Sequence, residues 1–168
     1  MKAFPVNSSR FDPYKTFRFL VYFGDSPEPV AGVSKVSGLK RTTAKIEHKQ
    51  GGDALTRKGI GRTEYDAITI ERGVAQWTEC EDWANAAQVL DKGVPSSSLK
   101  NLRRHVRIEL LNEQGLPVHR YIVHSAWVSE FQIISDLDAG ANAVAIEHIK
   151  LEHEGWEHDR TLQEPKEI

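Results

Sequence analysis

Apolar and polar residues alternate along most of this chain in short lengths cut by turn residues, and a helical period occurs in one segment only. Successive side chains of a strand point to opposite faces, so this alternation marks pleated surface with a face to cover. Residues 17–23 are rich in aromatic and β-branched types. They put Phe17, Phe19, Val21 and Phe23 on one face and Leu20 and Tyr22 on the other, so both faces are expected to be covered, and Gly24 and Asp25 end the run. Residues 30–39 read as a second strand, joined to the first by Asp25-Ser26-Pro27-Glu28-Pro29, a rigid polar link that suits a tight hairpin. Further strands are expected over 42–49, 65–72, 105–111, 118–134 and 144–156, with 118–134 long enough to bend or bulge. Asn112, Glu113, Gln114 and Gly115 form a turn signal, and residues 136–140 read as a loop.

The exception is a helix opening at Thr78. Thr78 is a suitable N-cap and Glu81, three residues on, completes a capping box. Glu79, Glu81 and Asp82 place negative charge where the helix dipole favours it. Trp83, Ala86, Ala87 and Leu90 make one apolar stripe, and Gly93 followed by Pro95 closes the helix. Six or seven strands, one helix and no strand–helix–strand rhythm predict a mainly β fold, an antiparallel β-barrel or sandwich with one packed helix. The 168 residues read as a single domain with a polar arm at 1–16, broken by Pro5 and Pro13, and a loose polar tail at 157–168.

The charge balance of −2 gives no basic excess that would advertise nucleic acid as the main partner. One cysteine, Cys80, cannot form an intrachain disulfide, which suits folding in a reducing compartment. Residues 1–13 hold no apolar run of signal-peptide type, and no stretch approaches the ~20 apolar residues of a membrane span. Folding in a cytoplasm is expected, without a membrane-insertion signal.

Each chemical constellation reads as structural. Lys58-Gly59-Ile60-Gly61-Arg62 has glycines and cations that could wrap phosphate, but it runs into a strand and no glycine-lysine-serine/threonine run opens a helix. A projecting hairpin is the better reading. His148, His153 and His158 are spaced by five, with His119 and His124 on a neighbouring strand, and odd spacing sends consecutive members to opposite faces. They read as surface histidines, without a metal. Cys80 lies in the first helical turn, but its acidic neighbours oppose a thiolate, so it reads as a packed residue. Asp136 with Asp138, and Glu147 with Glu152, read as solvated acids. Lys100, Arg103, Arg104, His105 and Arg107 form a basic cluster at a strand entry or subunit interface, with nucleic acid as the weaker alternative. No catalytic set or cofactor site emerges, so the chain is not expected to be an enzyme.

Without such a set, the surface itself becomes the functional candidate. Strand edges must be blunted, covered or paired, and the long 118–134 strand invites pairing with a neighbouring copy. Residues 50–62 form a glycine-rich, basic segment read as a loop of about a dozen residues, a length that is uncommon unless functional. Lys45, Glu47 and Lys49 form a charged face that suits contact with water.

Several runs, in order, resemble the inner tube proteins of contractile phage tails. They are Phe11-Asp12-Pro13-Tyr14-Lys15-Thr16-Phe17-Arg18-Phe19, Val33-Ser34-Lys35-Val36-Ser37-Gly38-Leu39 and Glu47-His48-Lys49-Gln50-Gly51-Gly52. Gly61-Arg62-Thr63, Tyr65-Asp66-Ala67-Ile68-Thr69-Ile70-Glu71-Arg72-Gly73, Glu81-Asp82-Trp83-Ala84-Asn85 and the stretch 146–156 continue the likeness, which spans about residues 10–158. One departure is Lys58-Gly59-Ile60-Gly61-Arg62, where relatives often carry leucine-proline-glycine.

The resemblance implies a structural tail-tube subunit of a phage tail or a phage-like contractile injection system, related to the type VI secretion tube. Hexameric rings would stack into a hollow conduit for DNA or effector cargo, driven into a target by an outer sheath. The partners implied are further copies of the chain, the sheath, baseplate and terminator or cap proteins, and the cargo. Assembly in a bacterial cytoplasm is implied, as part of a particle that leaves by lysis or is released outside the cell. On matching positions, residues 50–63 would be the inter-ring arm, with Gly51, Gly52, Asp53, Arg57, Lys58, Gly59, Gly61 and Arg62 in the contact. Phe11, Asp12, Pro13 and Tyr14 would tie the N-terminal arm to neighbours, and Lys45, Glu47 and Lys49 would face the lumen. The alternatives are a baseplate-proximal ring that starts the tube, and a small β-barrel ligand-binding protein or enzyme.

Overall fold

Alternation becomes strand throughout the computed structural model, which describes residues 13–49, 51–52, 54–91 and 102–164, with backbone alone at 88–91. The strands are β1 (Phe19–Phe23), β2 (Val33–Val36), β3 (Arg41–His48), β4 (Arg57–Tyr65), β5 (Ile68–Gly73), β6 (Arg104–Leu111), β7 (Pro117–Gln132), β8 (Ile146–Glu152) and β9 (Trp156–Asp159). The helix α1 (Glu79–Asp91) lies between β5 and β6. Seven strands make one antiparallel sheet in the order β1-β6-β7-β8-β5-β2, with β9 also paired to β7, and β3 and β4 form a separate two-stranded sheet.

The core gathers Val21, Phe23, Ile68, Ile70, Val106, Val123, Val128, Ile149 and Leu151 under the helix residues Cys80, Trp83 and Ala84. Trp83 is fully buried, meets Phe23 edge-on at 5.0 Å between ring centres, and donates its indole N–H to the Leu102 carbonyl at 2.7 Å. That indole gives the helix both a large apolar contact and a satisfied polar tip. The helix starts after Thr78 as expected, but the Thr78 hydroxyl donates to the Asp82 carboxylate, four residues on, in place of the box with Glu81. Gly93, Pro95 and the Leu90 side chain lie outside the described residues.

Several expectations are corrected. β1 and β2 are not a hairpin, because β1 pairs with β6 and β2 with β5 at the far edge. The link makes a local turn, with the Ser26 N–H donating to the Phe23 carbonyl at 3.4 Å, but then crosses to the far edge, where β2 finds β5. One bond, from the Val30 N–H to the Val21 carbonyl at 2.7 Å, draws the two edges together. No ladder joins them, so the sheet stays open and is not a closed barrel. Phe17 falls outside β1 and is exposed. β7 is bent as expected, with Ser125 at φ 52°, but it is a central strand flanked by β6 on one side and β8 and β9 on the other. β6 reaches only as far as Ala126, so among the described residues 127–132 are paired on the β8 side alone and keep an open edge on the other.

The last strand is broken at residues 153–155. Gly155 takes φ 134°, and a Cβ there would lie 3.3 Å from the Tyr65 ring, so only glycine fits. The tail is not loose from residue 157: β9 holds Trp156–Asp159 against β7, and Glu164 is buried. The large sheet has the seven strands expected, and the described residues hold nine in all because β4 and β9 arise where loop and tail were read.

Candidate interaction surface

Two apolar-polar alternations meet opposite fates here. In β5, Ile68 and Ile70 are buried under α1. In β3 all eight residues are exposed, and in β4 only Gly61 and Tyr65 are partly covered. The hairpin pairs from Arg41 opposite Tyr65 to His48 opposite Arg57, with a bulge between Thr43 and Lys45. Facing that bulge, a Cβ on Gly61 would lie 2.8 Å from the Ala44 carbonyl oxygen, so this glycine lets the two backbones approach. Residues 57–63, expected in the long loop, are therefore strand. Glycines read from sequence as loop signals serve here as close-packing positions.

At its root the hairpin is held to the rest of the chain. Tyr65 packs edge-on against Trp156 and His153, the Arg41 guanidinium lies over the Trp156 ring at 5.9 Å, and Lys40 pairs with Asp66 at 3.2 Å. Beyond the root it carries Ile46, Leu55 and Ile60 at 58%, 75% and 88% exposure, without a core of its own. Arg57, Lys58 and Arg62 add positive charge, and Lys45 pairs with Glu47 on one face at 2.7 Å. Gly51 and Gly52 form the turn, with Gly52 at φ 91°, while Asp53 lies outside the described residues. Lys49 is exposed just beyond β3.

The chain's two terminal segments meet elsewhere. Tyr14 donates its hydroxyl to Glu164 at 2.5 Å and sets its ring edge against His119 at 5.0 Å. Pro13 is exposed, and Phe11 and Asp12 lie outside the described residues.

The other sequence candidates separate. His119 and His158 do meet, with ring nitrogens 3.1 Å apart, because β9 lies against β7. Burial first, then His158, lowers the His119 pKa from its ordinary value, against a smaller opposing pull from Glu164. His148 contacts Glu130, and His153 contacts the Asp66 carbonyl. No group of three metal-ligating side chains forms among the described residues. Cys80 is packed, and burial pushes its thiol up to about 12. Asp136 and Asp138 are exposed, with Asp138 accepting the Gly140 N–H. The cations of the basic cluster are engaged within the chain, Arg103 by Glu154 and Arg107 by Glu109, while Lys100 lies outside the described residues. An apolar groove of about 490 Å³, lined by Phe19, Val36, Leu39, Ile108 and Trp156, brings together no catalytic set.

Glu147 is a correction, since it is buried against Arg72, which also donates to the Trp77 carbonyl at 2.6 Å. Period two puts Arg72 on the face of Ile68 and Ile70, so the pair was legible as a charge on a core face. Glu109 is likewise buried, between Arg107 and Arg120.

In sequence, residues 15–157 match the family described as T4-like virus tail tube protein gp19. No curated protein matches. Three solved structures contain similar chains, each matched over 88% of this one. A chain in the anti-feeding prophage baseplate, six-fold symmetrised, is 28% identical, with TM-score 0.70 and 96% of its length covered. A chain in the extended sheath–tube complex of the extracellular contractile injection system PVC is 26% identical, with TM-score 0.72 and 91% covered. A chain in the extended sheath/tube terminator of the same system is 25% identical, with TM-score 0.73 and 97% covered.

Proposed function

Because this chain belongs to the T4-like virus tail tube protein family, and so is a non-enzymatic tube subunit of a contractile phage tail or extracellular contractile injection system, we propose that it forms six-membered rings that stack into a hollow conduit. The observation that carries this reading is the β3–β4 hairpin, exposed on both faces beyond a root packed on Trp156. A lone two-stranded hairpin is marginal in water, and Ile46 and Ile60 need a neighbour to cover them. The hairpin, residues 50–63 with their glycines and cations, is the inter-ring arm. Phe11, Asp12, Pro13 and Tyr14 secure the N-terminal arm against a neighbour, with Tyr14 already pinned to its own Glu164. Lys45, Glu47 and Lys49 line the lumen, where a hydrated wall lets DNA or effector cargo slide. Sheath, baseplate and terminator proteins are the partners, by likeness to chains found in such complexes.

Negative-stain electron microscopy of the purified chain, alone and with its sheath and baseplate neighbours, tests this. Long striated tubes are expected, with a deletion of residues 51–62 leaving single rings. Small particles under every condition would sink the tube. A ring that never grows with all partners present would identify the initiator instead.

A further inference from the structure

The pairing of β9 with β7 places two histidines face to face that lie 39 residues apart in the chain. His158 on β9 stands directly opposite Tyr121 on β7, and His119, two residues before Tyr121, shares that face. Diagonal neighbours on paired strands lie about 7–8 Å apart, within reach of ring side chains. Here His119 Nδ1 comes to 3.1 Å from His158 Nε2, with the rings tilted by 51°. Tyr121 stacks on the His158 ring at 5.0 Å and Tyr14 sets its edge against His119 at 5.0 Å, so the two rings are kept side by side. Other histidines turn to different partners: His124 to Glu157, His148 to Glu130 and His153 to the Asp66 carbonyl.

On its own, such a pair is satisfied when one imidazole donates its N–H and the other accepts. The same spacing is also the bite of a chelate. Two metal–nitrogen bonds of about 2.0–2.1 Å, at angles near the tetrahedral one, hold their nitrogens roughly 3.0–3.4 Å apart. Rotation of a histidine ring about χ2 is soft, so a small turn aims both lone pairs at one ion. His158 is exposed and His119 is partly buried, which leaves the pair open to an ion from solvent and to water on that ion's remaining positions. Burial first, then His158, lowers the His119 pKa, so this ring is neutral at pH 7, the state in which imidazole binds a metal. Glu164 opposes that shift, and its negative charge favours a cation at the same place.

We propose that His119 and His158 form a two-histidine chelate for a divalent transition-metal ion of the zinc and copper class. Imidazole suits these ions, whereas Mg2+ and Ca2+ take oxygen ligands. The bound ion ties β9 to the central strand β7, and β9 leads on to Glu164, which accepts the Tyr14 hydroxyl. One ion therefore fastens the segments at both ends of the described chain to the same strand. This goes beyond the tube reading and does not rest on how rings stack.

Isothermal titration of the full-length chain, as dissociated subunits, with ZnCl2 and with MgCl2 tests it, together with thermal unfolding. One Zn2+ per chain is expected, with a Tm that rises on binding and returns on adding EDTA, and no response to Mg2+. His119→Gln and His158→Gln are each expected to weaken Zn2+ binding at least about tenfold, which is roughly 1.4 kcal/mol. His148→Gln/His153→Gln, which spares the pair, should bind as the wild type does. Electron paramagnetic resonance of the Cu2+-loaded chain should show two coupled imidazole nitrogens, and one in His158→Gln. Because His158 is exposed, that variant is expected to fold, and circular dichroism checks it. Zn2+ that does not bind, or binding that survives His119→Gln/His158→Gln, would overturn the site and leave the tube reading untouched. Binding lost with His148 and His153 instead would overturn it equally.

Discussion

The β5 strand and the β3–β4 hairpin are adjacent in sequence and alike in pattern, yet one lies inside the molecule and the other outside it. Ile70 is 2% exposed and Ile60 is 88% exposed. Alternation reports that a strand has a face to cover; it does not report which chain does the covering. Where α1 and β8 lie within reach, the subunit covers its own strand. The hairpin extends past the sheet's end, and its apolar residues stay exposed in the single subunit. Stability and assembly should therefore separate along the chain.

The sharpest break of that comparison is in the core. Arg72→Met leaves Glu147 buried without its partner, and should cost roughly 3–5 kcal/mol in urea unfolding of dissociated subunits. Arg72→Met/Glu147→Met should recover most of it. A single variant as stable as wild type would mean that the pair is reached by water. Next, Gly155→Ala forces a non-glycine residue to φ 134° against the Tyr65 ring, and should cost about 1–3 kcal/mol, read as a lower Tm.

The His119 contribution is smaller and depends on pH. Its pKa is lowered in the fold, so below the ordinary value of about 6.5 the unfolded chain binds more protons than the folded one. The stability it provides is complete above that pH and is lost as pH falls through it. The Tm should drop between about pH 7.5 and about pH 5.5, and less in His119→Gln, whose side chain does not titrate. Equal slopes would assign the drop to other groups. The smallest expected effect on stability is at the hairpin, where Ile60→Ser should change subunit unfolding by no more than about 0.5 kcal/mol while reducing tube yield. A large loss of subunit stability would mean that the hairpin folds onto its own chain.

Much of this was legible in sequence, and the failures share a cause. The helix, the bend in β7 and the Asn112 turn follow from local chemistry, and the Asn112 side chain accepts both the Gln114 and Leu116 N–H groups as such a turn requires. The misread elements depend on distant partners. β4 was hidden by Gly59 and Gly61, whose role appears only with Ala44 opposite. β9 was read as tail because Trp156, Glu157, His158 and Asp159 carry little apolar pattern, and backbone pairing with β7 defines them. β7 is central over its first part and an edge over residues 127–132, a division that length alone does not reveal. The hairpin was marked by its glycines and cations, whereas the His119–His158 pair forms only once β9 lies against β7.

The bend at Ser125 has a mechanical consequence. β6 pairs with the first part of β7, β8 with the last, and the β1–β6 and β8–β5–β2 parts of the sheet are joined through this one strand. Ladder bonds lie across the strands, so a thrust along the strand direction loads the bonds on either side of β7 in shear, all at once. In a subunit pushed rather than pulled apart, β7 is the beam that carries load from one half to the other, and its kink is braced by the two backbone bonds between His124 and residues 154 and 155.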